Sequence, residues 1–458
     1  MMMKKFLIHW FLWAILSSLS IARDFSLKEI EGAPDPVLTA ARNVTQSDEQ
    51  AKVAESLVEL RRAVVEGDRY AALVVGYCEE TGKGTPRSIP AALASYKTAA
   101  EAGLPAGMLR YGMALRAGNG VTNPNYPAAR EWLGKAEKAG AAGAMLELAR
   151  MDYAGEGIAR PDVDKARFLV TTAAEAGSPE AMVELGRGLK AGAFGAAPDY
   201  QAARQWFERA AKEGKDAEAT LELGLLYEEG KGVPSDIDRA LFYYRSAAQQ
   251  DLALAWFRLG LCSLNGLGGE PDLQAAVEWF QKAAAKDLSM AMFQLATICD
   301  QGSKGVPVDN AKATEWYHKA AELGDLPSQN QLGLRYRDGR GTTKAPDKAL
   351  QWFSSAASRR FPPAMVNLGT LYEDGYDKVV TQDYATAARL YSEAVRQGDA
   401  VGQFRLAHLY ESGKGVEKDL VAAFVLTAES ARFGHKPAAA FSAKLKPQLT
   451  PEQLKIAE

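Results

Sequence analysis

A glycine returns every 36 to 38 residues along this chain, at Gly82, Gly118, Gly155, Gly192, Gly230, Gly266, Gly302, Gly339, Gly375 and Gly413. A unit of that length holds two helices and two turns. It cannot bury its apolar face alone, so its stability has to come from stacking on copies of itself. The repetition runs through residues 69–434 without a change of register. For 458 residues the default is two or three globular domains, but unbroken repetition makes one elongated domain the better reading.

The unit is clearest between Ala217 and Asp251. Leu221, Leu223, Leu225, Leu226 and Tyr227 fall at helical spacing, and Gly230 stands where a helix needs a left-handed C-terminal residue. After the turn Lys231-Gly232-Val233-Pro234-Ser235, Asp236 can cap a second helix by accepting its free backbone N–H groups. Equivalent aspartates recur at Asp162, Asp199, Asp272, Asp309, Asp383 and Asp419. The second helix, helix B, repeats Ala-x-x-Trp-aromatic-x-x-Ala-Ala, as in Ala276, Trp279, Phe280, Ala283, Ala284 and in Ala313, Trp316, Tyr317, Ala320, Ala321. Small residues let helices approach and large rings fill the remaining gaps, so Trp279 and Trp316 are expected to be buried between repeats.

With Leu-Gly-x-x-Tyr in the first helix, helix A (Leu223-Gly224 to Tyr227, Leu332-Gly333 to Tyr336), and Gly-x-Gly-Val after it (Gly230 to Val233, Gly413 to Val416), the chain resembles the Sel-1-like repeat (SLR) family. The resemblance implies an all-α fold: an α/α superhelical solenoid of about ten two-helix SLR repeats, similar to tetratricopeptide arrays, with capping helices. It also implies a protein–protein interaction scaffold that is not an enzyme, holding a partner protein or peptide against the inner, helix A surface. A cell-wall or glycan-associated protein, or a hydrolase, is the alternative. Some cysteine-rich relatives are linked to β-lactam binding, but they carry a Cys pair in most repeats, whereas this chain has only Cys78, Cys262 and Cys299.

The flanks read differently. Lys4 and Lys5, the apolar run Phe6 to Leu19, and the small residues Ser20 and Ala22 make residues 1–22 a secretory signal peptide. The run is short for a membrane span, which takes ~20 apolar residues, and an uncleaved anchor is the alternative. Export to the periplasm or medium of a bacterium is expected, or the secretory pathway of a eukaryote, with no stable membrane insertion after cleavage. Residues 23–48, with Pro34 and Pro36, read as a tether, residues 49–68 as an N-terminal capping helix, and residues 435–458 as a C-terminal cap and tail. Asn43-Val44-Thr45 is a glycosylation acceptor only in a host with that machinery. An odd number of cysteines excludes a complete disulfide framework. Cys78 and Cys262 fall on an apolar helix A position; a bridge from Cys262 to Cys299 is the alternative to buried thiols.

Chemistry is sparse. The four histidines, His9, His318, His408 and His435, are not spaced as metal ligands or triad members. The Gly-x-Gly turns lack the Lys-Ser/Thr of a phosphate loop. A formal net charge of −3, with basic residues interspersed among acidic ones, gives no nucleic-acid footprint. No cofactor or metal is expected. What remains is a polar row on helix A: two residues before its central Gly or Ala stand Arg110, Glu147, Glu184, Arg258 and Arg405, and one residue after it Arg150, Arg187 and His408. These positions are three apart, on one face. They are the candidate binding residues, with Arg110, Arg150 and Arg187 as a cationic track for an acidic segment. The alternative is that Glu147 with Arg150 and Glu184 with Arg187 are surface ion pairs worth ~0.2 to 0.5 kcal/mol each.

Overall fold

The computed structural model describes residues 25–457, except 48, 121–122, 196 and 303–306. The signal segment 1–22 lies outside the described residues. Those residues form 24 α-helices and two 3-10 turns, with one isolated bridge, Tyr376 to Val380, as the only extended pairing among them. The chain is an all-α solenoid of paired helices, and its contacts divide it into two compact units, Met1–Ser246 and Ala247–Glu458.

In the first unit, a 3-10 turn (Leu27–Ile30), α1 (Asp35–Gln46) and α2 (Gln50–Val65) precede the repeats. Each repeat is then a helix A and a helix B: α3 and α4 (Arg69–Thr81, Ile89–Glu101), α5 and α6 (Pro105–Ala117, Tyr126–Lys138), α7 and α8 (Ala142–Ala154, Val163–Glu175), α9 and α10 (Pro179–Ala191, Tyr200–Glu213), α11 and α12 (Ala217–Glu229, Ile237–Ala248). The second unit continues with α13 and α14 (Ala253–Asn265, Leu273–Ala284), α15 and α16 (Ser289–Gln301, Asn310–Glu322), α17 and α18 (Leu326–Asp338, Pro346–Ser358), α19 and α20 (Pro362–Asp374, Tyr384–Arg396), α21 and α22 (Ala400–Ser412, Leu420–Arg432). It closes with α23 (Lys436–Leu445) and α24 (Pro451–Ala457).

The local signals behave as their chemistry requires. Gly230 (φ 65°, ψ 31°) and Gly339 (φ 73°, ψ 27°) end their helices in the left-handed region. Gly302 and Gly375 keep a positive φ but turn to an extended ψ, 170° and 156°. All seven aspartates cap helix B through a side-chain oxygen that accepts a backbone N–H, as Asp236 does from Arg239 at 2.9 Å.

Two expectations need correction. The described part of the expected tether 23–48 holds a packed helix: Val37, Ala40, Ala41 and Val44 recur at helical spacing and are buried against the first repeat, while Pro34 and Pro36 open α1, where a missing N–H costs nothing. There Asn43 donates to Ser56 Oγ at 3.1 Å and Thr45 to Ala41 O, so the acceptor motif sits inside a helix. Trp279 and Trp316 are only half-buried. The ring that is buried is the next one, Phe280 or Tyr317. The reason lies in helix A, whose small central residue, Ala296 before Tyr317 and glycine in most repeats, leaves a slot for that ring: a Cβ on Gly260 would stand 2.6 Å from Phe280, and one on Gly369 would stand 2.5 Å from Tyr391. The tryptophan is left at the edge with a cation above it, Lys282 at 4.4 Å from Trp279 and Lys319 at 4.5 Å from Trp316. Cys78, Cys262 and Cys299 are all buried and none is in a disulfide, and burial pushes the Cys78 thiol up to about 12.

A second glycine locks neighbouring repeats. In four turns the last Gly of Gly-x-Gly abuts the first residue of the preceding helix B, Gly157 against Tyr126, Gly232 against Tyr200, Gly341 against Asn310 and Gly415 against Tyr384.

Candidate functional site

The helix A row of the first unit is a ladder of alternating charge that crosses from repeat to repeat. Arg150 on α7 reaches forward to Glu184 on α9, Nη2 to Oε2 2.6 Å, and back to Glu147 on its own helix, Nη1 to Oε1 2.6 Å. Glu147 also accepts from Arg116, at the end of α5, at 2.7 Å, and Arg116 donates to Glu156 at 2.6 Å. One repeat on, Arg187 on α9 donates to Glu222 on α11 at 2.7 Å and to Glu218 at 3.1 Å, and Lys190 joins Glu222 at 2.5 Å. The expected arginines are therefore brought together in register, but as members of a charge-matched network and not as a free cationic track. Arg110 heads the row and is bound elsewhere, to Glu29, Nε to Oε2 and Nη2 to Oε1 both at 2.8 Å.

The face is half-buried, and that raises the value of each pair above its exposed counterpart. The two central carboxylates sit deeper than their cations: Glu147 and Glu222 side chains are 5% and 8% exposed, Arg150 and Arg187 17% and 21%. Burial alone would push the Glu222 carboxyl up, but Lys190 and Arg187 outweigh it and hold the group below the ordinary carboxylate range. Burial likewise works against the charge of Arg150, and Glu184 and Glu147 overcome it. A hydrogen bond between charged groups contributes about 1.5 to 3 kcal/mol net. Removing one member leaves its partner charged and desolvated, which is the expensive outcome.

The second unit has a sparser row. Arg258 on α13 is half-buried and makes no ion pair among the described residues. Arg405 on α21 lies 3.8 Å from Glu373. His408 is stacked on Phe441 of α23 at 3.9 Å and meets Phe404 edge-on at 4.7 Å; burial there lowers its pKa. It packs the C-terminal cap and does not line an open face. The most deeply buried charged pair of this unit, Arg335 with Asp300, was not among the expected residues. Arg335 also donates to Thr314 Oγ1 at 3.1 Å and stands over the Tyr317 ring. Its signal is in the sequence all the same: Arg335 and Asp300 are 35 residues apart, as are Arg187 and Glu222, while Arg150 and Glu184 are 34 apart. In a solenoid, opposite charges one repeat apart are spatial neighbours.

Asp152, which replaces the helix A tyrosine in the third repeat, is buried beside Arg130 at 2.7 Å and Lys165 at 3.4 Å. Three of the buried helix B tyrosines give their hydroxyl to an acid on helix A, Tyr96 to Glu80 and Tyr391 to Glu373 at 2.6 Å each, and Tyr244 to Glu228, while Tyr317 meets Thr297 Oγ1 at 3.4 Å. Where the ring is Phe207, Phe280 or Phe353, the same position carries Lys190, Leu264 or Arg337. No cluster of three or more His, Cys, Asp or Glu side chains among the described residues could hold a metal ion, and none of the described helices is long and apolar enough to cross a membrane.

Comparison with known proteins agrees with this architecture. The Sel1 repeat model matches ten consecutive segments, beginning at residues 69–104 and ending at 400–435. A protective antigen of uropathogenic Escherichia coli that displays an SLR fold is 28% identical, with 92% of this chain and 89% of that one covered and a TM-score of 0.54. A Sel1 repeat protein from Oxalobacter formigenes is 30% identical over 69% of this chain and 89% of its own, with a TM-score of 0.49. No curated protein matches the chain significantly.

Proposed function

Because the chain belongs to the Sel1 repeat family, whose solenoids are generally protein–protein interaction scaffolds, we propose that it is an exported scaffold that holds a segment of a partner protein on the helix A face of its first unit. The observation that carries this reading is the ladder from Arg116 through Glu147, Arg150 and Glu184, and from Arg187 through Glu222 to Lys190. Each side chain is fixed by its neighbours, so a partner meets donors and acceptors whose ordering cost has already been met by folding. Alternation selects by pattern: four cations stand among five carboxylates once Glu156 and Glu218 are counted. A partner that complements both signs in order is favoured over one that is merely acidic.

The lysine and arginine side chains over Trp132, Trp206, Trp279 and Trp316 weigh against the glycan reading, since they occupy ring faces on which a sugar would stack. Export rests on the sequence of residues 1–22.

A charge swap separates binding from folding. Arg150→Glu alone sets a third carboxylate against Glu147 and Glu184, whereas Arg150→Glu with Glu184→Arg restores the cross-repeat pair and inverts the pattern. The swapped protein, used as bait against the periplasmic or secreted fraction of its host, is expected to melt within a few degrees of the parent and to lose the partner that the parent retains. Equal retention by both baits would place binding elsewhere on the molecule.

A further inference from the structure

Arg110 stands in the same row as the other helix A residues but is 9% exposed, because the chain's own N-terminal segment lies on it. Residues Leu27–Ile30 form one 3-10 turn closed by a capping box: Ser26 Oγ accepts from the turn's backbone, and Glu29 Oε1 accepts from Ser26 N at 3.1 Å. The turn presents the Glu29 carboxylate to Arg110 in a two-bond fork, across 81 residues of sequence. Three rings surround that guanidinium, Phe25 at 5.8 Å and Tyr77 and Tyr96 at 5.9 Å each. Phe25 packs on Tyr77 with centroids 5.3 Å apart, and Ile30 is fully buried beside them.

This is a recognition geometry. A carboxylate held bidentately by arginine inside an aromatic box has a fixed orientation as well as a favourable energy. Tyr77 and Arg110 also occupy the two helix A positions that form the candidate face, one after the central glycine in the first repeat and two before it in the second. Most apolar cover for the first repeat comes from α1 and α2, from Val37, Ala41, Val44, Leu57 and Leu60, and the segment adds Ile30 to the same core. The segment joins α1 through Gly32, whose φ of +92° sets a sharp turn before Pro34.

We propose that residues 25–31 are an intramolecular ligand: they fill the helix A face of the first two repeats, at the place taken by a partner segment of the same chemistry, an acidic residue four positions after an aromatic one and followed by an aliphatic one. The proposal rests on the helix A reading above and adds to it the partner's chemistry and a competitor. Engagement of a partner at this end then requires the segment to leave, by rotation about Gly32, while α1 stays packed.

The test uses the full chain and a fluorescent peptide of residues 25–33. The double variant Phe25→Ala/Glu29→Ala leaves the repeat's own groups, Arg110, Tyr77 and Tyr96, in place and weakens the segment that covers them. It is expected to bind the peptide at least tenfold more tightly than the parent does, and adding Arg110→Ala is expected to abolish that gain. A folded double variant that binds no better than the parent overturns the proposal. Hydrogen exchange on the unaltered chain gives an independent answer if the variant unfolds. The amides of Glu29, Glu31 and Ala33, which donate within the segment at 2.8, 3.2 and 2.9 Å, are expected to exchange at least tenfold faster than those of Ala40 to Val44. Exchange of both sets together makes the segment a fixed part of the cap and overturns the proposal. If the peptide fails while the Arg150/Glu184 swap still abolishes partner capture, the helix A reading stands without this segment; if the swap fails while the peptide binds, the reverse holds.

Discussion

Gly341→Ala is expected to be far more damaging than Gly339→Ala, two residues earlier in the same turn. Both glycines have left-handed backbones, φ +69° and +73°, so each alanine carries the same backbone penalty, roughly 1 to 2 kcal/mol. The surroundings differ. A Cβ on Gly339 meets nothing nearer than Lys344 N at 3.5 Å, which is ordinary contact. A Cβ on Gly341 overlaps the carbonyl of Asn310, the first residue of α16, and stands 2.8 Å from Thr314 Oγ1. Neither group can rotate away, because Asn310 O and Thr314 Oγ1 both accept from Arg335, at 3.2 and 3.1 Å. Relief needs a shift of one repeat against the next, at about 1 to 3 kcal/mol for forced overpacking, and loosens the hydrogen bonds of a nearly buried guanidinium. The sum is about 3 to 5 kcal/mol for Gly341→Ala against about 1 to 2 for Gly339→Ala. A ten-repeat array need not unfold in one step, so the assay is hydrogen exchange resolved to α16 and α17, with urea unfolding for the aggregate. Equal losses for the two variants refute the idea that the second glycine is a joint between repeats.

The two adjacent aromatic rings of helix B should also differ. Phe353, fully buried under Gly333, is expected to cost about 3 to 5 kcal/mol on truncation to alanine, and half-buried Trp352 about half of that, read from thermal melting. Acid should weaken the ladder: the folded pKa of Glu222 lies below its ordinary 4.5, so its stabilisation is present above that pH and lost as pH falls through the folded value. Glu222→Gln, measured by urea unfolding between pH 3 and 7, should flatten that slope. His408 has a folded pKa below its ordinary 6.5, so the C-terminal cap should lose stability as pH falls from there toward the folded value; His408→Phe should remove the dependence of exchange in α23. Intact-mass measurement of the exported protein should show a chain beginning at Arg23, and a species retaining residues 1–22 in the membrane fraction would contradict cleavage.

Period, caps and left-handed glycines were legible because each is a local requirement satisfied within one repeat. The identity of the buried ring was not, since size suggested tryptophan while the deciding factor was the missing side chain at Gly260 or Gly333 on another helix. The prolines at the start of α1 suggest a tether, although Val37, Ala40, Ala41 and Val44 already carry the periodicity of a packed helix. Glu147, Arg150, Glu184 and Arg187 of the candidate row do meet one another, but their charge balance depends on partners a full repeat away, and Glu29 lies too far from Arg110 in sequence for any spacing rule to join them.

The two kinds of joint between repeats differ in what they tolerate over evolutionary time. The contact between Gly232 and Tyr200, or between Gly341 and Asn310, is the same from one junction to another, so a duplicated repeat brings both halves of the joint and can be spliced in at many points. The charge pairs are particular to their junctions. Inserting a copy between the third and fourth repeats would keep the stacking and separate Arg150 from Glu184. Length is thus free to drift by whole modules, while the order of charges along helix A works as an address that a single misplaced duplication erases.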